Sequence, residues 1–244
     1  MASSLQLTNH ALSVIPSQLA MQHEFSYFKL GCFQPGGPNA WTTCADDVHI
    51  VSTEGWVPYF GETLKTIEWA RNSSKEPDSD PVFGLIDFTP GVGIAGHSMG
   101  GQSSTLAANT ACTKQYDIRA VAIHHPATGA TLPHGNAGAN ITVPLAAFTS
   151  SGDNTCDAHL TKDIFDAVPP GTPKLYRNLY GSSHLEPVLV PPIENPYLAT
   201  YTAAWFKIYV NGETQGEYYD LIYGQDETSI CQSAEMTECI VVEA

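Results

Sequence analysis

Positive charge is scarce in this chain. Its 244 residues carry 10 Lys+Arg against 25 Asp+Glu, a formal net charge of −15, and only 14% of residues are charged at all. A surface so short of cations has little with which to neutralise phosphates, so nucleic acid is not an expected partner. No apolar run approaches the roughly 18–20 residues that span a bilayer. The first twenty residues lack a basic n-region, and Asn9 and His10 stand where a secretion signal needs an apolar stretch. Neither G-x-x-x-x-G-K-[ST] nor a G-x-G-x-x-G at a strand–helix junction is found, which leaves nucleotide cofactors without support. What the chain does have is 43% hydrophobic residues, enough for a sizeable core, in a length that suits one large domain.

Six cysteines are present, at positions 32, 44, 112, 156, 231 and 239, with no C-x-x-C spacing of the kind that binds metal or shuttles electrons. Cys231 and Cys239 close a short loop, CQSAEMTEC, in an acidic tail with little apolar surface of its own, and a disulfide between them is expected. Two sequons, Asn72-Ser73-Ser74 and Asn140-Ile141-Thr142, are glycosylation acceptors in a eukaryotic secretory route. The bland alternative is buried thiols and chance sequons. The favoured reading is a secreted or extracellular protein whose targeting segment is absent from this version of the sequence.

From about Ser17 to Gly212 short apolar runs alternate with helical periods, the mark of an α/β fold with a mainly parallel sheet flanked by helices. The strand-like runs are Phe25–Leu30, Val92–Ala95, Ile118–Ile123, Pro144–Thr149 and Lys174–Tyr180. Between Tyr59 and Arg71, Phe60, Leu64 and Ile67 recur at helical spacing. Gly101–Ala111 reads as a helix rich in small residues, and Leu160 and Ile164 mark another. The clearest helix has Asn195 as N-cap, Pro196 at its first position, a stripe of Leu198, Tyr201, Trp205 and Ile208, and Gly212 to end it. Residues 1–212 thus read as the domain and 213–244 as an accessory acidic tail, in which Tyr218, Tyr219 and Tyr223 are expected to pack half-buried against it.

The sharpest motif is Gly96-His97-Ser98-Met99-Gly100, a G-x-S-x-G between a strand-like run and a helical one. A nucleophile elbow needs that context, because the serine takes a strained conformation at a sharp strand-to-helix turn and glycines leave room for close packing. His97 fills the x position and reads as structural. A serine hydroxyl is a poor nucleophile at neutral pH, so an elbow implies a histidine base and a carboxylate, in the order Ser, Asp or Glu, His. Of the histidines after Ser98, only His184 follows the last strand-like run, in the loop Gly181-Ser182-Ser183-His184-Leu185-Glu186-Pro187. The acid should follow Pro144–Thr149, where Ser150-Ser151-Gly152-Asp153-Asn154 supplies Asp153. Asp157, one turn on, is the alternative, and it suits a helix cap equally well. His124, His125, His134 and nearby Asp residues are candidate metal ligands by type, but adjacent histidines point to opposite sides of a strand, and no metal site is expected.

The stretch from about Val92 to Val210 resembles the α/β-hydrolase fold and, within it, the branch of secreted polyester hydrolases, cutinase-like lipases and PET hydrolases. G-H-S-M-G-G, S-G-D-N-T and G-S-S-H are similar to that branch's motifs in order and spacing, over about half the chain. The resemblance implies a carboxylic ester hydrolase with Ser98 as nucleophile, Asp153 as acid, His184 as base and the backbone N–H of Met99 as one oxyanion donor. It implies no cofactor and a small-molecule or polymeric ester as substrate. Two departures stand out. The family's second oxyanion donor comes from a loop after an early strand that has no counterpart before Phe25; if Ser17–His23 is the first helix, the leading strands and that loop are missing. The second is His125-Pro126-Ala127, where such enzymes carry an aromatic platform after the proline, which favours a general esterase over an aromatic-polyester hydrolase. The competing reading is a weak or inactive hydrolase-fold protein with a binding role, since an incomplete oxyanion hole costs about 10²–10³ in rate.

Overall fold

The structure is a computed structural model that describes residues 60–75, 86–108, 110–127, 137–187 and 198–244. The expected strand Phe25–Leu30, the cap at Asn195-Pro196 and His134 lie outside these residues.

In chain order the elements are α1 (Phe60–Ser73), β1 (Val92–His97), α2 (Met99–Ala107), α3 (Thr110–Tyr116), β2 (Ile118–His124), a 3₁₀ turn at Gly138–Asn140, β3 (Leu145–Ser150), α4 (Ala158–Ala167), β4 (Lys174–Leu179), α5 (Leu198–Tyr209), α6 (Glu217–Tyr223) and β5 (Met236–Val242). The strands lie in one sheet in the order β1-β2-β3-β4-β5. The first four are parallel and β5 is antiparallel to β4. A five-stranded, mostly parallel sheet flanked by helices is the architecture expected of an α/β hydrolase.

Side-chain size decides which helix covers which face. Successive residues of a strand point to opposite sides. In β2, Val121 and Ile123 join Ile94, Leu145 and Tyr176 beneath Leu64 and Ile67 of α1, Leu106 of α2 and Ile164 of α4. On the other face Ala120, Ala122 and Ala146 leave space that Trp205 and Phe206 of α5 fill, all fully buried. Phe206 lies so close to β1 that a Cβ on Gly93 would come within 2.7 Å of its ring. Small strand residues under large helix aromatics keep that layer at interior packing density. All four residues of the expected α5 stripe are buried, and Gly212, at φ +78°, donates its N–H to Ile208 O to close the helix.

Two elements differ from the sequence reading. The helix after the elbow begins at Met99 and ends at Ala107, and a separate helix starts at Thr110, where one helix over Gly101–Ala111 was expected. The second is β5, which runs beside β4 from Lys174↔Val242 to Leu179↔Met236, while Ile222 and Ile230 are buried in the α5 layer. Cys231 and Cys239 are disulfide-bonded with Cα atoms 5.5 Å apart, the pairing expected from their loop, and Cys112 is disulfide-bonded as well.

Candidate active site

Four parallel strands end side by side, and the residue or loop that follows each one contributes to a single cluster. Ser98 directly follows β1, His125 directly follows β2, Asp153 sits in the loop after β3 and His184 in the loop after β4. The carboxyl edge of a parallel sheet is where such folds gather their polar side chains.

The Ser98 turn is tight. A Cβ on Gly96 would lie 2.1 Å from Gly100 O, so only glycine lets the strand pass so close to the start of α2. Ser98 itself has φ 56° and ψ −120°, a region that a residue with a Cβ adopts at a cost of about 1–3 kcal/mol. The surroundings hold it there: Ser98 N donates to His124 O at 3.0 Å, and Ser98 O accepts from Ala127 N at 2.7 Å and Gln102 N at 3.1 Å. Ser98 occupies the N-cap of α2, yet its hydroxyl makes no capping bond. It points instead at His184, with Oγ 3.0 Å from Nε2.

His184 Nδ1 lies 2.8 Å from Asp153 Oδ2. A carboxylate only accepts, so Nδ1 carries the proton and Nε2 is left to accept from the Ser98 hydroxyl. The loops that carry Asp153 and His184 are laced together: Ser150 Oγ donates to Ser182 O, Gly152 N to Ser150 Oγ and Gly181 N to Ser151 Oγ. Asp153 Oδ1 accepts from the N–H groups of Thr155 and Cys156 at 2.7 and 2.8 Å. Burial pushes the Asp153 carboxyl up, but the hydrogen bonds from His125, Cys156, His184 and Thr155 outweigh it and hold the group well below the usual carboxylate range. Asp157 serves elsewhere. It is the N-cap of α4 and accepts from His159 N.

Three further histidines surround this set. His97 donates from Nε2 to His184 O at 2.8 Å, and its ring packs 4.7 Å from that of His184. Burial, then repulsion from His184, brings its pKa down to about 4, so it is neutral and props the loop that carries His184. His124 turns the other way, stacked on Phe148 and bonded to Thr202 Oγ1, and burial keeps it neutral too. His125 was not expected here. Its Nδ1 lies 2.8 Å from the same Asp153 Oδ2, and its Nε2 lies 3.1 Å from Glu186 Oε2, whose carboxylate also pairs with buried Arg177. His124 ends β2 and His125, at φ 43°, lies just beyond it, so one ring enters the core and the other the site. Among the described residues, the nitrogens of His125 and His184 and the carboxylate of Asp153 lie within 4.8 Å of one another, a metal-like spacing, though each is already committed to a hydrogen bond.

Met99 opens α2, so its N–H is among the first amides of the helix, which have no partner within it. No protein-family model matches the chain. A curated protein resembles it. Cutinase est2 of Thermobifida alba is 25% identical over 176 residues, 68% of this chain and 54% of that protein. The chain thus spans about half the length of this curated relative, and the likeness agrees with an α/β-hydrolase fold of cutinase-like character.

Proposed function

We propose that this protein is a carboxylic ester hydrolase working through an acyl-enzyme. The observation that carries the reading is the unbroken path from Ser98 Oγ through the His184 ring to Asp153, with donors and acceptors matched at each step. Ser98 Oγ attacks the ester carbonyl carbon while His184 Nε2 takes its proton, and the tetrahedral oxyanion is met by the N–H of Met99. Collapse expels the alcohol, which receives the proton from His184. Water, deprotonated by the same nitrogen, then attacks the acyl group, and the acid leaves as Ser98 regains its proton. Asp153 holds the imidazole in the required tautomer and offsets its charge when it forms.

The substrate reading is an apolar ester in the cutinase manner. Similarity to a cutinase supports it, as do Tyr180 and Leu185, large apolar side chains left exposed on the loop that carries His184. Ala127 offers no ring for stacking, which favours a general esterase over an aromatic-polyester hydrolase. We take residues 1–212 as the hydrolase domain and 213–244 as its extension, and the disulfides favour a secreted protein. A fluorophosphonate probe tests the chemistry. One equivalent of label on Ser98, absent in Ser98→Ala along with turnover of a short p-nitrophenyl ester, is the expected result. Unlabelled Ser98 in folded protein removes the acyl-enzyme reading and favours the binding role, and wild-type turnover in Ser98→Ala overturns the assignment of the nucleophile.

A further inference from the structure

His125 is the one ring in the cluster with an anion at each nitrogen. The side chains of His125, Asp153, Glu186 and Arg177 are all completely excluded from solvent. Carboxylate oxygens cannot donate, so Nδ1 facing Asp153 and Nε2 facing Glu186 must each bear a proton. A neutral tautomer would aim a lone pair at an anion where no water intervenes, which is among the costliest arrangements a protein interior can hold.

The charges alternate along the path: Arg177 positive, Glu186 negative, His125 positive, Asp153 negative. With His125 doubly protonated the four sum to zero. With it neutral, a net negative charge stays buried. Among the described residues, the other titratable groups facing this ring are His97, 6.1 Å away, His184, 5.7 Å away, and its chain neighbour His124. His97 and His124 are neutral, so neither competes for the role of cation. Burial opposes charge on His125, and the bonds to Asp153 and Glu186 overcome it.

We infer that His125 is a positioning residue for the proposed hydrolysis: a permanent buried imidazolium that clamps Asp153 and tempers the negative field this carboxylate exerts on His184. The inference rests on the ester-hydrolase reading. Two rings share Asp153 Oδ2 at 2.8 Å each, while two backbone amides hold Oδ1. A carboxylate with four donors cannot swing away from the base. Part of its charge is already matched by His125, so a protonated His184 gains less from it.

Removing the cation reverses this. In His125→Gln the acid limb of kcat/KM for a short p-nitrophenyl ester should move up by about one pH unit, from Coulomb interaction at this separation. At neutral pH kcat should fall about tenfold with KM unchanged. Glu186→Gln keeps the ring but no longer demands its second proton, and should move the limb the same way by less. A structural role alone lowers stability and leaves the limb in place, so an unmoved limb in either folded variant overturns the inference. The charge is read separately, without turnover, by nitrogen-15 NMR of folded Ser98→Ala protein. Both His125 ring N–H signals should persist from pH 5 to 9, and a single N–H, or titration within that range, overturns it whether or not the wild type hydrolyses esters.

Discussion

Gly152 lies against the backbone of Ser182, so close that an added Cβ would stand 2.5 Å from the Ser182 carbonyl oxygen and 2.6 Å from Gly181 C. Backbone atoms cannot turn aside as a flexible side chain can. Gly152→Ala should therefore push the acid loop and the base loop apart by a fraction of an ångström to an ångström. Misplacement on that scale costs about 10²-fold in rate. The expected result is a fall in kcat far larger than the accompanying drop in Tm, and an unchanged kcat would show that the two loops are not spaced by this contact.

Asp153 and Asp157 are separable by a pair of isosteric changes. Asp153→Asn should lower turnover by about 10³–10⁴, because the amide can no longer fix the tautomer of His184 or offset its charge. Asp157→Asn should leave turnover within a few-fold, since asparagine is as good an N-cap for α4 as aspartate. Steady-state kinetics on the two variants decide the acid. The reverse ranking would transfer that role to Asp157.

Reduction of Cys231–Cys239 should loosen the C-terminal segment without unfolding the domain. The loop is short, so the chain-entropy model assigns it about 2–3 kcal/mol. β5 keeps its pairing with β4, and Ile222 and Ile230 keep theirs with the α5 layer, when the sulfurs part. Hydrogen exchange should quicken first in residues 224–235 while β1 to β4 stay protected. Cys112 is disulfide-bonded as well, so the Cys231→Ser/Cys239→Ser double variant isolates this bond, and global loss of protection there would make it essential to the fold.

The parallel part of the sheet was legible because buried parallel strands read as short apolar runs. Val92, Ile118, Leu145 and Lys174 each open a strand at or within one residue of where such a run begins. β5 was not legible. Its sequence, MTECIVV, mixes exposed Thr237 and Glu238 with half-buried residues, as an edge strand with one open side does. The helix after the elbow was legible from Gly101 on, but its start at Met99 and its end at Ala107, ahead of a second helix from Thr110, were not, since Gly100 and Gly101 have poor helix propensity. In the site, strand order and loop position led to Ser98, Asp153 and His184, which the fold brings together. His125 and Glu186 escaped because their meaning lies in pairing across 61 residues of sequence. One signal was present: a lone arginine, Arg177, inside the buried run KLYRNL, which an apolar strand tolerates only with an anion for company.

The antiparallel partner of β4 has a consequence for how the molecule is made. Lys174–Leu179 leaves the ribosome about 60 residues before Met236–Val242, an interval of several seconds at roughly 5–20 residues per second. Throughout it, the outer rim of β4 offers a row of unpaired amides and carbonyls to any passing chain. Biosynthesis thus has a window in which the nascent protein is adhesive along one line, and the segment that shuts it is acidic: Glu235, Glu238 and Glu243 arrive with the strand and replace a sticky border with a repellent one.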